Sequence, residues 1–212
     1  LKRFEPFLIE RAAYKRYFSR ITSGKRTELG PFYSMFNIGD YTFSRYKVVW
    51  REQGMKFTVS AVISEDSPII PDHKLMMIPT QSAEESFYLA GMLGSTISQY
   101  VVSSYILSIS TSTGILDNLA IPVFNPDDKD HEAVMNYSKQ LHLSSVNDYQ
   151  IINDLEYNLD ICVSRIFDIS NDDLQEIRES YHKLLKLDMS NNKDTSYKDC
   201  ISESHEIILE VF

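Results

Sequence analysis

Several residue types and motifs that mark enzymes and exported proteins are scarce or absent in this sequence. Only two of the 212 residues are cysteines, Cys162 and Cys200, and neither belongs to a CxxC or Cys/His spacing, so the sequence predicts no zinc site and no disulfide framework. The motifs GxGxxG, GxxxxGK(S/T), HExxH and GxSxG are also missing, which argues against a stand-alone enzyme of the corresponding classes. Because few cysteines fit a reducing compartment, we expect a cytoplasmic protein.

A long uncharged stretch raises the question of a membrane span. No charged residue lies between Glu85 and Asp117, which is long enough to cross a bilayer. Repeated Ser, Thr and Gln side chains make the stretch too polar for hydrocarbon, so we expect a buried helix, then a strand and a hydroxyl-rich loop, and no membrane partner. The chain begins with Leu1 and shows no signal-peptide pattern, and we expect it to be a fragment of a longer protein.

Charge is distributed unevenly along the chain. The formal net charge is −9, yet residues 1–60 contain 12 Lys and Arg against 5 Asp and Glu, whereas residues 61–212 contain 9 against 25. Affinity for nucleic acid comes largely from cations that neutralise phosphates. The asymmetry therefore indicates one basic binding face on an acidic remainder, and such a face would suit either DNA or an acidic protein.

Residues 30–52 are the segment richest in aromatic side chains, and basic residues lie among them. Residues 32–38 and 46–50 are predicted to be strands, because they are rich in aromatic and β-branched residues and flank a Gly-Asp turn signal. Strand alternation would place Lys47 and Arg51 on one face and Trp50 on the other, in the core. Cations among aromatic rings suit a phosphate backbone, but the same pattern fits a hydrophobic sheet whose long basic side chains reach water.

The remaining periodicity predicts a mixed structure. Helices are expected over residues 1–21, 83–101, 131–143, 148–167 and 171–187, further strands over residues 55–63, 74–78, 105–109 and 119–124, and a loop over residues 22–30. The fold class is therefore α+β: an N-terminal helix, a twisted, mostly antiparallel sheet with hairpins, a central buried helix and a C-terminal helical bundle. We expect residues 1–125 to form the mixed α/β core, residues 126–190 its helical part, and residues 191–212 a loose polar linker and short tail.

Five blocks occur in an order that resembles a known family. They read PFYSMFNIGDYTFSRYKVVWRE, KFTVSAVI, IPDHKLMMI, EESFYLAGMLGSTI and STSTGILDNLAIPVFNPDD. With RAAYKRYF before them and LEYNLDICVSRIFDIS after them, they resemble the C-terminal target-recognition (specificity) domain of restriction-modification N6-adenine DNA methyltransferases, both the TaqI-like enzymes and the fused type II restriction-methylation enzymes. The sequence departs from that family at Gly94, where an Asn-Ser type pair is expected, and at Ser44-Arg45, where a small residue and Pro are more usual.

The resemblance implies a module that clamps double-stranded DNA against a catalytic methyltransferase domain of the same parent chain. That domain would bind S-adenosylmethionine and receive the flipped adenine. For this fragment we expect no catalytic residue, cofactor or metal, and the sequence leaves open whether the parent also cleaves DNA. The expected DNA-binding residues are Lys25, Arg26, Tyr41, Arg45, Lys47, Arg51, Lys74, Ser112 and Thr113. The alternative is a non-catalytic protein–protein interaction module with a basic docking face.

Two acidic motifs favour local structure over catalysis. Residues 125–128 read Asn-Pro-Asp-Asp and lack the second Pro and the aromatic residue of the Asn-Pro-Pro-aromatic signature of amino methyltransferases, so they predict a turn. Residues 170–173 read Ser-Asn-Asp-Asp, and their side chains are expected to accept hydrogen bonds from the first turn of a helix.

Overall fold

The computed structural model describes residues 1–52, 57–105, 113–144 and 148–191. The chain forms two compact units, Leu1–Thr42 and Phe43–Phe212. Helices predominate and both sheets are antiparallel, which confirms the α+β class predicted from the sequence. No helix in the described ranges is long and apolar enough to cross a membrane. The domain boundaries predicted after residues 125 and 190 stay predictions.

The first unit consists of short helices followed by a hairpin. After a 3-10 turn at Lys2–Phe4 come α1 (Glu5–Leu8), α2 (Ala12–Tyr17), β1 (Ser19–Thr22) and β2 (Lys25–Glu28), and the two strands pair antiparallel. The single helix predicted over residues 1–21 is wrong. It is interrupted at Arg11, whose backbone is extended and whose guanidinium donates to carbonyl oxygens of Leu8, Phe32 and Ser34. These hydrogen bonds outweigh the small free energies of local helix propensity.

The segment after the hairpin is irregular, so the strand predicted over residues 32–38 is wrong. Its main chain turns repeatedly and then forms a 3-10 turn at Asp40–Phe43. The carbonyl oxygens of Phe32 and Ser34 accept hydrogen bonds from Arg11, at 3.1 and 2.8 Å. Aromatic content favours a strand only where a neighbouring strand supplies ladder hydrogen bonds, and here a side chain takes that place.

A three-stranded antiparallel sheet opens the second unit. Its strands are β3 (Tyr46–Arg51), β4 (Val59–Ile63) and β5 (Leu75–Pro79), in the order β4-β3-β5. Val48 of the central strand lies opposite Ala61 on one side and Ile78 on the other. The predicted strands at residues 46–50 and 74–78 are therefore confirmed. Of the returning strand predicted over residues 55–63, the part Val59–Ile63 pairs with β3, residues 57–58 are not in a strand, and residues 55–56 lie outside the described residues.

The rest of the second unit is helical in its described part. The helices are α3 (Ala83–Gly94), α4 (Thr96–Tyr105), α5 (Lys129–Leu143), α6 (Tyr149–Ile166) and α7 (Asn171–Asn191), with a 3-10 turn at Thr113–Asn118. The last three confirm the C-terminal helices. The strand predicted over residues 119–124 is wrong: Pro122 has no N–H for a ladder, and its carbonyl accepts from the Tyr88 hydroxyl at 3.1 Å. Of the strand predicted over residues 105–109, Tyr105 ends α4 and the remainder lies outside the described residues.

The helix predicted over residues 83–101 divides at Ser95. This residue is extended, with φ of −61° and ψ of 151°. Its hydroxyl oxygen accepts from the Ser98 amide at 3.3 Å, and its hydroxyl proton is donated to the Met92 carbonyl at 2.8 Å. Ser95 thus caps the start of α4 and closes α3 with one side chain.

A buried carboxylate adds a second cap to α4. Asp160 of α6 is 1% exposed, accepts from the Thr96 amide at 2.8 Å, and forms an ion pair with Arg178 of α7. Burial raises the pKa of Asp160, while the hydrogen bonds from Thr96 and Arg178 act in the opposite direction. A buried charge is tolerated only when it is paired and hydrogen-bonded, so this carboxylate fixes the relative positions of α4, α6 and α7.

Helix α3 is the layer that joins the two hydrophobic cores of the second unit. Ala90 and Leu93 belong to the core that includes the sheet residues Val48 and Trp50. Tyr88 and Met92, on the other side of α3, belong to the core formed with α5, α6 and α7. Because α3 is buried on both sides, the predicted central buried helix is confirmed.

Gly91 sets how closely α3 and α5 can pack, and this contact can be tested. A Cβ at Gly91 would lie 2.9 Å from Val134 Cγ1 and 3.2 Å from the Val134 carbonyl oxygen, whereas a Cβ at Gly94 would meet nothing within 4 Å. We expect Gly91→Ala to lower the free energy of unfolding by about 1–3 kcal/mol despite the better helix propensity of alanine. The matched Gly94→Ala variant should be neutral or slightly stabilising. Equal effects in urea titrations of the two variants would contradict this packing.

Candidate nucleic-acid interface

The β1–β2 hairpin carries the two basic residues predicted on the loop at residues 22–30. That prediction is wrong, because Lys25 and Arg26 lie on β2. The turn residues Ser23 and Gly24 have φ of 52° and 75°, the left-handed values of a two-residue hairpin turn. The Ser-Gly pair is a general turn signal in the sequence.

Of the two basic residues on β2, Arg26 forms an ion pair with Glu10. The Glu10 carboxylate pairs with Lys15 at 2.5 Å and with Arg26 at 2.9 Å, and these hydrogen bonds lower the pKa of Glu10. Lys25 is exposed and makes no ion pair with any described residue. Of the two cations predicted to contact DNA, Lys25 is therefore the more available.

Cations and aromatic rings occur together on the surface of the first unit. Tyr17 stacks on Phe36 with ring centroids 3.7 Å apart, and Arg16 lies over Tyr17 at 5.3 Å. Arg3 lies over Phe4 at 4.7 Å. The large exposed apolar and aromatic residues of this unit include Phe4, Phe7, Tyr17, Ile21, Leu29, Tyr33, Met35, Phe36, Ile38 and Tyr41. The number of large apolar side chains exposed within 42 residues favours a binding surface.

Three predicted DNA contacts of the second unit, Arg45, Arg51 and Lys74, lie at opposite ends of β3. Arg45 is exposed and immediately precedes β3. Arg51 ends β3 and is half-buried, and Lys74 is exposed beside it, since the Lys74 carbonyl accepts from the Glu52 amide at 2.9 Å. The length of β3 separates Arg45 from Lys74 by about 20 Å. The structure thus groups Arg51 with Lys74 but does not bring Arg45 to them.

Lys47 lies inside the protein, so the expectation that it shares a solvent-facing surface with Arg51 is wrong. Its side chain is 0% exposed, and Nζ donates to the Ile69 carbonyl at 2.6 Å. Burial lowers the pKa of Lys47. Strand alternation correctly predicted that Trp50 lies in the core, where it is 1% exposed. Val49, on the same face of β3 as Lys47, is also 1% exposed, so both faces of the strand are covered. In this conformation Lys47 cannot reach a phosphate.

The remaining predicted contact residues are Tyr41, Ser112 and Thr113. Tyr41 is 39% exposed, and its hydroxyl donates to the Asn37 carbonyl at 2.6 Å. Thr113 begins the 3-10 turn at Thr113–Asn118. Ser112 and the side chain of Thr113 lie outside the described residues.

The acidic motifs have local structural roles. The Asp128 carboxylate accepts from the amides of Asp130 at 2.8 Å and His131 at 3.2 Å, which caps α5 and lowers the pKa of Asp128. Ser170 caps α7 by accepting from the Asp173 amide at 3.2 Å. The predicted turn and cap are confirmed. Within the described ranges, no group of three or more His, Cys, Asp or Glu side chains is arranged to hold a metal ion.

Comparison with known proteins found no relative. No family model matches the chain, and neither a curated protein nor a solved structure matches it. The relation to DNA target-recognition domains therefore stays a prediction from the sequence.

The buried position of Lys47 makes a prediction about stability. Because the folded-state pKa is lowered, the unfolded chain binds more protons than the folded chain at pH values between that pKa and the ordinary lysine value of about 10.4. The free energy of unfolding should therefore rise with pH in this window, and Lys47→Met should reduce the rise. Urea titrations between about pH 7 and about pH 10 would measure it. Lys139→Met, at an exposed site on α5, is the control, and the same pH slope in both variants would contradict burial of the ammonium.

Proposed function

We propose that this chain is a DNA target-recognition module of a site-specific N6-adenine DNA methyltransferase or of a restriction enzyme fused to one. The observation that carries the proposal is the surface of the first unit, where exposed cations accompany exposed aromatic rings. Residues 1–42 contain 8 Lys and Arg against 4 Asp and Glu, so the carboxylates cannot neutralise the cations. Such a surface suits phosphate contacts and stacking.

The order of the sequence blocks supports the same proposal. The blocks that resemble target-recognition domains run from the first unit through the sheet and helices of the second. In this role the chain positions duplex DNA and reads its sequence, and a separate catalytic domain binds S-adenosylmethionine and transfers the methyl group. The described residues do not fit that cofactor, because their strands pair only antiparallel and lead into no glycine-rich loop. We place the protein in the cytoplasm on its low cysteine content.

A second candidate function is docking of an acidic protein. The exposed fractions of Phe7 (75%), Ile21 (70%) and Met35 (62%) favour it, since large apolar side chains in water often mark a protein interface. The two functions differ in their dependence on salt and in whether duplex DNA binds at all.

The proposal predicts binding of duplex DNA with a steep salt dependence. The 212-residue chain should bind a mixed-sequence duplex of about 25 base pairs at about 50 mM salt, with affinity falling linearly in a plot of log K against log salt. Arg45→Ala should weaken binding and reduce the slope by about 0.9, the value of one phosphate contact. Lys47→Met removes the same charge from a buried site and should leave the slope unchanged. Fluorescence anisotropy titrations would measure both.

Two results would oppose the proposal. Absence of duplex binding at low salt would favour the protein-docking function. An equal loss of slope in the Arg45 and Lys47 variants would instead show that net charge, and not a placed contact, governs binding.

A further inference from the structure

One face of the β1–β2 hairpin is made only of hydrogen-bonding side chains. The register pairs Arg20 with Thr27 and Thr22 with Lys25. Paired residues of an antiparallel ladder point to the same side, and residues two apart on a strand do so as well. The four side chains therefore lie together, and we call them the polar hairpin face. It contains two cations, two hydroxyls and no carboxylate.

The opposite face of the hairpin contacts the rest of the first unit through Ser19 and Arg26, while Ile21 and Glu28 on that face are exposed. Ser19 is buried, and its hydroxyl donates to the Lys15 carbonyl at 3.0 Å. Arg26 is held by Glu10 at 2.9 Å. These contacts attach the hairpin to the rest of the first unit by one side and leave the polar hairpin face turned away from it.

The members of the polar hairpin face have no side-chain partners among the described residues. All four are exposed, and none makes an ion pair or a side-chain hydrogen bond with a described residue. The cations that are paired elsewhere in this unit are bound by Glu10, which lies near Lys15 and Arg26. Arg20 and Lys25 therefore keep their full capacity to bind an external anion.

The hairpin is a short, defined ribbon. The two left-handed turn residues match the twist of the strands, and the Leu29 amide donates to the Phe18 carbonyl at 2.8 Å, which extends the ladder by one pair. A two-stranded ribbon of this kind fits the major groove of B-DNA, which is about 12 Å wide.

We propose that the polar hairpin face enters the major groove of duplex DNA, an inference that rests on the proposed function. Arg20 and Lys25 bind phosphates or acceptor atoms of guanine, and Thr22 and Thr27 contact base edges. The choice of DNA over an acidic protein follows from the composition of the face, because it offers only charged and hydroxyl groups and no apolar anchor.

The first test compares two variants with the same change in net charge. Arg20→Ala/Lys25→Ala should weaken duplex binding by about tenfold per cation and reduce the salt slope by about 2. The control Lys139→Ala/Lys183→Ala removes two exposed lysines from α5 and α7 and should change the slope little. Circular dichroism and urea titrations would establish that both variants fold.

The second test asks which groove is occupied. The probe is the same duplex with each cytosine replaced by glucosylated 5-hydroxymethylcytosine, whose sugar projects into the major groove. The unsubstituted chain should bind it at least tenfold more weakly than the plain duplex. A minor-groove competitor such as netropsin should have little effect on binding to the plain duplex.

The outcomes separate this inference from the proposed function. If the unsubstituted chain does not bind the plain duplex, the proposed function fails. If it binds, but the hairpin variant behaves like its control or the glucosylated duplex binds equally well, the proposed function stands and the assignment of the hairpin to the major groove is overturned.

Discussion

The second unit depends on the burial of α3 between the sheet and the C-terminal helices. This helix supplies Ala90 and Leu93 to one core and Tyr88 and Met92 to the other, so both cores depend on its position. The approach is close enough that a single methyl group at Gly91 would contact the α5 backbone. Protein interiors pack as densely as organic crystals, so such a contact fixes the position of α5 against α3. Helix α6 packs against α5 in turn.

Buried charge in the second unit serves structure. Asp160 accepts the free amide of Thr96 and pairs with Arg178, and the Lys47 ammonium donates to the Ile69 carbonyl. Asp160 binds a main-chain amide at the start of a helix, and Lys47 binds a main-chain carbonyl in the link between β4 and β5. Such hydrogen bonds are how proteins retain charge away from water. Charges available for a partner must therefore be sought at the surface, and the first unit has both the surplus of cations and the exposed rings.

Secondary structure was predicted correctly where the local residue pattern is strong enough to determine it. The strands around Trp50 and the helices α5, α6 and α7 have strong periodicity, and the turn at residues 125–128 and the cap at Ser170 follow from local chemistry. The sequence did not predict that both faces of β3 are covered, because alternation assigns a side chain to a face without stating what lies over it. The helix break at Arg11 was missed since it depends on carbonyl groups more than 20 residues away. The hairpin of Ser19–Thr22 and Lys25–Glu28 was missed because it is mostly exposed and has little apolar alternation to reveal it.

Because Lys47 is buried and Lys25 lies on an exposed hairpin, the base-reading contacts expected on the sheet are better assigned to the hairpin. Reading base edges in a groove requires several hydrogen-bonding side chains close together. Successive base pairs, each with its own pattern of donors and acceptors, are only about 3.4 Å apart. Arg45 and Lys74 lie too far apart for that, and Lys47 between them is buried. Neighbouring pairs of one antiparallel ladder meet the requirement, because directly opposed residues have Cα atoms about 5 Å apart. Arg20 and Lys25 are diagonal neighbours on one exposed face of such a ladder, about 7–8 Å apart, and each lies directly opposite a threonine. Under the proposed function, the hairpin would read bases and the sheet cations would hold the duplex backbone.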